Sequence, residues 1–597
     1  MTESRITSSD SVVNSKENSS RTGGETRKSL ILLISLVLPV VGFFYLSILT
    51  PLPEAYAVCS RRGAKIYTVD DNDTVVQCLV VHNTFIVDTG SLEDVSSRWF
   101  ARSSFPLPIR YISRGSIIVP GLMDSHAHIL EYGASRQLFL GDARSIQEIV
   151  SLVRQHILVN AEMYDDKLRS IEGWGWDHLS WSVKEWPTAD AFESDPVLRD
   201  RSVVLRSKDG HALWLSKKAL ESIAPLPRDF EGGVIFRREN GEPTGVLLDG
   251  AQSLVKGSGP TEQDLLRHFT TTIDDALSFG LTSIHDAGFQ PVSLAFFERQ
   301  TAKGSLPIRI YGMRHFNEKS PDLGNLSIPI LNAANGRLNV RSVKIFADGA
   351  LRSGGAALCA PYFDNPEEKG FMRIEEQLLH EVIIQYLRDG WQVNVHAIGD
   401  CANKAVLDAF EDALQYVNVS ALRPRLEHAQ MLTPEDVMRI GRLGVIASVQ
   451  PAHATSDMWY AEERLGPERV KGLYAFRSLH DNGGILAFGS DFPVEDMNPL
   501  SGFYAAITRL SQDGTSPKGS VGWFPEQRLT REQALRGMTI NAAYASFAEE
   551  RLGSIVPGKL ADFVVLSQDI MRIPVYQILK TKVRATIIDG RPVYGYI

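Results

Sequence analysis

The sequence predicts an α/β protein: a (β/α)8 barrel of the TIM type inserted in a small β-sandwich that both ends of the chain form, with an N-terminal transmembrane helix. Three observations carry that reading. Eight short apolar runs between residues 116 and 491 alternate with amphipathic or irregular stretches, the pattern of repeated strand and helix units. Short β-type runs fill residues 58–116 and return at 551–597, and neither piece is long enough for a core of its own. Leu30–Leu49 is a run of 20 residues without a charge, which as a helix is long enough to cross a bilayer.

Taken in order, residues 1–29 are rich in Ser, Asn and Thr without apolar period and read as a disordered cytosolic tail. Arg27 and Lys28 directly precede the apolar span, so the positive-inside bias makes residues 30–49 a transmembrane signal anchor. The expectation is a single-pass membrane protein whose catalytic body is lumenal or extracellular. The alternative is secretion after cleavage near Val58, where Ala55 and Ala57 supply the small-residue spacing. Asn72, Asn325 and Asn418 begin glycosylation triplets, which permit a glycoprotein in that orientation. Cys59 and Cys78 flank one strand-turn segment and are either bridged or two separate buried thiols, whereas Cys359 and Cys401 read as free.

Residues 58–116 form the first part of the sandwich and 551–597 the second. Between them, 117–550 is the barrel. Its candidate strands are 116–124, 202–208, 281–286, 341–348, 391–397, 423–429, 444–450 and 485–491. Stretches such as EEQLLHEVIIQYLRDG and NKAVLDAFEDALQYV separate several of them with apolar residues at helical spacing. Two segments look inserted, at about 135–200 with the Trp-rich IEGWGWDHLSW, and at about 210–260.

Composition narrows the function. A 597-residue chain with net charge −9 and no basic stripe does not suit nucleic acid, which needs a cationic face. Four cysteines exclude a small disulfide framework. No phosphate loop or dinucleotide fingerprint appears. A large acidic enzyme remains.

The polar residues concentrate where the apolar runs stop. The first run ends in Asp124-Ser-His126-Ala-His128, whose two histidines at i and i+2 share a face of an extended strand. Lys344 sits inside VKIFAD, where a buried ammonium is costly unless something uses it. His396 ends the fifth run, Glu427-His428 the sixth and Ser490-Asp491 the eighth. Barrel enzymes carry their chemistry at the carboxyl ends of the strands. Four imidazoles and a carboxylate on one rim suit zinc or a similar divalent ion.

With these residues in place, the chain resembles the metal-dependent amidohydrolase superfamily. Within it, the likeness is to the amidohydrolase family 3, YtcJ-like branch, which includes enzymes similar to N-substituted formamide deformylase. The matching stretches include PGLMDSHAHI (120–129), DGHALWLSKKAL (209–220), VKIFADGALRSGGAAL (343–358), VNVHAIGD (393–400), RLEHAQ (425–430), SVQPAH (448–453) and FGSDFPVE (488–495). The resemblance runs from about residue 58 to 597. It implies metal ligation by His126, His128, Lys344, His396, His428 and Asp491, with Lys344 carboxylated if two ions are bridged and a plain structural lysine if one is held. Asp491 would also carry the proton, and His211 and His453 would contact substrate or the developing oxyanion. The implied reaction is cleavage of a non-peptide amide, formamide or N-acyl C–N bond by a metal-bound hydroxide. Cyclic amides, lactones or esters are the alternative substrates, and an idle membrane-tethered scaffold is the alternative from another class. Phe492 stands where the family motif usually has Trp. Trp174, Trp176 and Trp214 are candidates for the pocket wall, Arg425 for a carboxylate partner, and residues 350–370 for a lid. The expected partners are a small amide-like molecule and the membrane; a homodimer is left open.

Overall fold

The computed structural model describes residues 52–597 apart from 257–258 and 318–327. The expected tail, the Leu30–Leu49 span and Asn325 therefore lie outside the described residues. Among the described residues no helix is long and apolar enough to cross a membrane. The longest of these, Glu262–Ser278, has 17 residues and buries only one face, through Leu265, Phe269, Ile273 and Ala276; a crossing takes about 20 apolar residues. The transmembrane helix is thus not supported, and the membrane tether and the localisation that depended on it are set aside.

The barrel consists of eight parallel strands: β1 (Leu122–Ala127), β2 (Leu281–Phe289), β3 (Arg309–His315), β4 (Leu338–Phe346), β5 (Gln392–Ala397), β6 (Arg425–His428), β7 (Ile446–Val449) and β8 (Ile485–Phe488). Each pairs with its neighbour in that order. Every residue of β1, β2, β5, β6 and β7 is buried, as expected for strands covered on both faces. The ring closes between β8 and β1, where the Asp491 N–H donates to His126 O at 2.7 Å. Gly489 permits that approach, because a Cβ there would lie 2.5 Å from the His126 nitrogen.

The helices around the ring follow from local sequence. Glu376–Arg388 buries Leu379, Val382, Ile383, Tyr386 and Leu387, one stripe at helical spacing. Burying such a Leu or Ile side chain is worth about 1.5–3 kcal/mol. Thr433 caps Pro434–Leu443 by accepting from the Asp436 N–H, and Gly444 ends the helix at φ 69°.

One expected barrel strand belongs elsewhere. Val203–Ser207 is the fourth strand of a five-stranded sheet ordered Gly233–Arg237, Pro243–Asp249, Ala212–Leu215, Val203–Ser207, Ile171–Trp176. Its burial alternates residue by residue, whereas the barrel strands are mostly buried throughout. The strand missed was β3, whose Arg309, Arg314 and His315 conceal its apolar centre. Trp176 and Trp214 pack in the core of this inserted sheet with Phe192, Val203 and Leu205, so they do not line a pocket.

Both chain ends enter one six-stranded sheet, in which Phe563–Leu566 runs antiparallel to Ile117–Pro120. Ala55–Cys59, Cys78–His82, Phe85–Gly90 and Ile109–Tyr111 make a four-stranded sheet. Cys59 is bonded to Cys78 across adjacent strands, and Cys359 to Cys401. The second pair corrects the expectation of free thiols: residues 42 apart in sequence meet because the loop after β4 folds over the start of the helix after β5.

Candidate metal centre

The strand ends converge at the carboxyl mouth of the barrel. His126 is on β1, while His128 is the residue just before helix Ile129–Ser135. Glu427 and His428 are adjacent on β6, and strand alternation would send them to opposite faces. The backbone of His428 turns instead to φ 72°, and that of Asp491 to φ 62°, left-handed values that cost energy outside glycine.

His126, His428 and Asp491 each offer one ligand atom, and all of these atoms lie within 4.8 Å of one another. His128 Nε2 is 3.1 Å from Asp491 Oδ1, and Lys344 Nζ is 3.2 Å from His126 Nε2. The His396 ring centroid is 4.5 Å from that of His428. Four buried atoms in this group have no aligned hydrogen-bond partner: Asp491 Oδ1, His428 Nδ1, His396 Nδ1 and His453 Nε2. Buried polar atoms are nearly always satisfied, so this set fits a bound cation.

Electrostatics agree. Burial pushes His428 and His396 well below the usual imidazole range, and burial with the Lys344 charge brings His126 to about 4. Neutral imidazoles are what a metal requires. Burial works to raise the Asp491 carboxyl, but the His126, His128 and His453 imidazoles outweigh it and keep it ionised. Burial lowers the Lys344 ammonium to about 8.

A family model described as the amidohydrolase family matches residues 114–594. The chain belongs to that family. It is 31% identical to Protein LONG AFTER FAR-RED 3 of Arabidopsis thaliana, over 96% of this chain and 98% of that one. It is 30% identical to the putative amidohydrolase YtcJ of Bacillus subtilis, over 89% and 98%. It is 26% identical to the N-substituted formamide deformylase of Arthrobacter pascens, over 88% and 96%. An uncharacterized metal-dependent hydrolase from Pyrococcus horikoshii has a similar structure, with TM-score 0.68 and 26% identity over 87% of this chain and 99% of that one. With the buried His/His/Asp group, this makes the protein a metal-dependent amidohydrolase acting on a C–N bond.

Around the amidohydrolase centre stand Glu427 and Asp124, to which sequence reasoning gave no role of their own, and Arg425, which it expected to pair with a carboxylate. Glu427 Oε2 lies 2.5 Å from His126 Nδ1, and Glu427 Oε1 is held by Arg425 Nε at 2.8 Å. An ionised Glu427 keeps the proton on Nδ1 and turns the Nε2 lone pair to the centre. Burial would raise Glu427, yet Arg425 and His126 bring it to about 2. Its signal in sequence was the i, i+2 pairing with Arg425 in RLEH. Asp124 accepts from the Ser490 hydroxyl at 2.6 Å, locking β1 to the turn that carries Asp491. His285 faces Arg425 at 3.3 Å rather than the centre.

His211 and His453 sit at the edge. The His453 ring stacks 5.9 Å from His428, with Nε2 3.7 Å from Asp491 Oδ2. The His211 ring is 5.5 Å from His396, and its Nδ1 is 2.6 Å from Asp249 Oδ1. Asp249 ends a strand of the inserted sheet, so that sheet delivers His211 to the barrel. Nothing local in sequence marks Asp249. The loop after β4 is pinned: Asp348 accepts from the N–H groups of Ala357, Ile398 and Gly399.

An inner cavity of about 40 Å³ is lined by His211, His396, His428, His453 and Asp491. It adjoins a vestibule of about 720 Å³, and Lys208, Arg352, Tyr460 and Glu495 line both. Lys208 pairs with Glu495 at 3.0 Å, and Arg352 with Asp177 at 2.8 Å and Asp457 at 3.2 Å.

Proposed function

We propose that this amidohydrolase cleaves the C–N bond of a small non-peptide amide, formamide or N-acyl amine. His126, His128, His396, His428 and Asp491 would hold one or two divalent ions, zinc being the best match to this N/O donor set. The observation that carries the reading is the convergence of His126, His428 and Asp491, whose ligand atoms lie within 4.8 Å of one another, beside buried His428 and His396 nitrogens that have no hydrogen-bond partner. Lys344 would join them as a carbamate: its neutral amine adds to carbon dioxide, an N–C bond forms and a proton leaves. A lysine with a pKa of about 8 reaches the neutral form readily, and the resulting anion can ligate where an ammonium repels. When bound, the metal supplies polarisation of the substrate carbonyl and an acidified water.

The chain's own groups do the rest. Asp491 takes the proton from the attacking water and passes it to the departing nitrogen, which leaves poorly without it. Burial works against a charge on His211, but the Asp249 carboxylate raises its pKa, so as an imidazolium it would keep Nδ1–H on Asp249 and donate Nε2–H to the carbonyl oxygen, while His453 backs Asp491. The deformylase name of the Arthrobacter pascens relative and the small inner cavity both favour a small acyl group at the reacting end.

The test is elemental analysis of the purified protein together with turnover of an N-formyl and N-acyl amine panel, before and after chelation. One to two equivalents of zinc and chelation-sensitive amide hydrolysis are expected. Active protein without metal would overturn the reading, and hydrolysis of lactones or esters alone would move the reaction off the C–N bond.

A further inference from the structure

We propose that the vestibule selects amides carrying both an aromatic ring and a remote negative charge, with Arg136 and Arg144 binding the charge and Phe139 and Trp459 flanking the ring. This rests on the inner cavity being the reaction centre and names what its outer neighbour recognises. The inner cavity, about 40 Å³, accepts little beyond the reacting group, so the remainder of a substrate lies in the 720 Å³ vestibule. That volume is in the range of small-molecule pockets.

The vestibule is charged against the trend of the molecule. In a chain of net charge −9, its lining holds five cationic side chains, Arg136, Arg144, Lys184, Lys208 and Arg352, against three acidic ones, Asp177, Glu495 and Asp496. Three of the cations are answered: Lys208 by Glu495, Arg352 by Asp177 and Asp457, and Lys184 by Glu463 at 3.4 Å. The guanidinium groups of Arg136 and Arg144 have no carboxylate partner among the described residues; the Arg144 backbone N–H donates to Glu148 Oε2 at 2.7 Å. An arginine fork without a carboxylate is the usual receptor for a planar or tetrahedral oxyanion.

The aromatic part is equally specific. The Arg136 guanidinium lies 5.7 Å from the Phe139 ring and 6.0 Å from the Tyr132 ring, which orients it without consuming its charge. Phe139 is 41% exposed, although it is fixed: its backbone bridges to Trp174, and its ring packs on Gly141, where a Cβ would meet it at 2.5 Å. Trp459, from the segment after β7, is 54% exposed in the same cavity. Two large rings left to water in one cleft mark a contact surface for an apolar ligand group. The residues shared by the two cavities connect this subsite to the metal centre, so the charged end and the scissile bond belong to one molecule.

The experiment compares two N-acylbenzylamines on the zinc-loaded enzyme, one with a ring sulfonate and one with a neutral ring methylsulfone. Wild type should favour the sulfonate by about tenfold or more in kcat/KM, and Arg136→Gln/Arg144→Gln should erase most of that ratio through KM. Added salt should erode the preference in wild type alone. Equal use of both amides by wild type, or equal losses on both in the double variant, would overturn the proposal. Calorimetric titration with benzylsulfonate and with benzyl alcohol gives a readout that does not need turnover. Benzylsulfonate binding that the double variant loses, with neither amide hydrolysed, would support the subsite while sinking the C–N reading; benzylsulfonate binding that the double variant retains would sink the subsite.

Discussion

Two buried networks of charge lie at opposite ends of the barrel strands, and one of them closes on itself while the other does not. At the amino end of β3, Arg309 donates to Asp562 at 2.7 and 2.9 Å and to Asp589 at 2.5 Å, and Arg337 donates to Asp589 at 2.5 Å. Asp562 in turn accepts from the Asp589 N–H at 2.9 Å. These groups join the barrel to the sheet that both chain ends build. At the carboxyl mouth, buried more deeply than Arg337 and Asp589, Asp491, His396, His428 and His453 leave polar atoms without an aligned hydrogen-bond partner. A complete network stabilises, whereas an incomplete one at the catalytic face of a barrel is held ready for something the chain does not contain.

The largest effect should come from breaking the open network at Asp491, the proposed proton carrier. Asp491→Asn keeps an oxygen ligand and removes the relay, so kcat should fall by about 10²–10⁴-fold. Metal content and kcat on an anilide and an alkyl amide of one acid separate the roles. Intact metal with near-normal rates on both would pass the proton to another group, with His453 first in line.

Breaking the closed network should cost stability and spare chemistry. Arg309→Met strands Asp562 in a buried site and should cost about 3–5 kcal/mol in denaturant titration. The folded fraction should turn over substrate at the wild-type rate. A drop in kcat without a drop in stability would erase the distinction between the two ends.

A smaller loss is expected at the edge of the mouth. Asp249→Asn removes the carboxylate that favours the His211 imidazolium, and kcat should fall by roughly 10–10²-fold with KM little changed. Histidine ¹⁵N spectra would report its protonation directly. An unchanged His211 signal together with normal kcat would make Asp249 a purely structural residue.

The smallest effect is acid sensitivity at the base. Burial works to raise Asp589, but Arg309 and Arg337 outweigh it and hold its carboxyl below the usual range. A carboxyl lowered by folding adds stability that is present above its unfolded pKa, near 4, and is lost as pH falls toward the lower folded value. Wild type should therefore lose more stability than Arg309→Met when pH drops below about 4. Parallel losses would show that Asp589 is not linked to the ion pair.

Much of the mouth was legible because the polar residues of a barrel rim sit where apolar runs end. His126, Lys344, His396, His428 and Asp491 announced themselves by interrupting such runs, and the lysine in VKIFAD stood out because an ammonium buried on a strand is costly until an anion or a ligand engages it. Arg309–His315 was obscured because the charge of Arg309, at its start, is neutralised by Asp562 and Asp589, more than 250 positions away. Val203–Ser207 misled for the opposite reason: a short apolar run reads alike whether a barrel or a flat sheet buries it. The long apolar span at residues 30–49 lies outside the described residues, and among those described no helix is long and apolar enough to cross a membrane.

By itself the sequence determined the family and the individual strands that end in His126, His396, His428 and Asp491, because residue type and order along a strand are local properties. Tertiary structure alone decided that Glu427 orients His126, that Asp249 holds His211, that Cys359 bonds Cys401, and that Arg136 shares a cavity with Trp459. Those pairings join segments whose separation in the chain says nothing about their distance in space. They exist because the barrel closes, the inserted sheet docks on its rim, and the left-handed turns at His428 and Asp491 redirect side chains that strand alternation would have sent away.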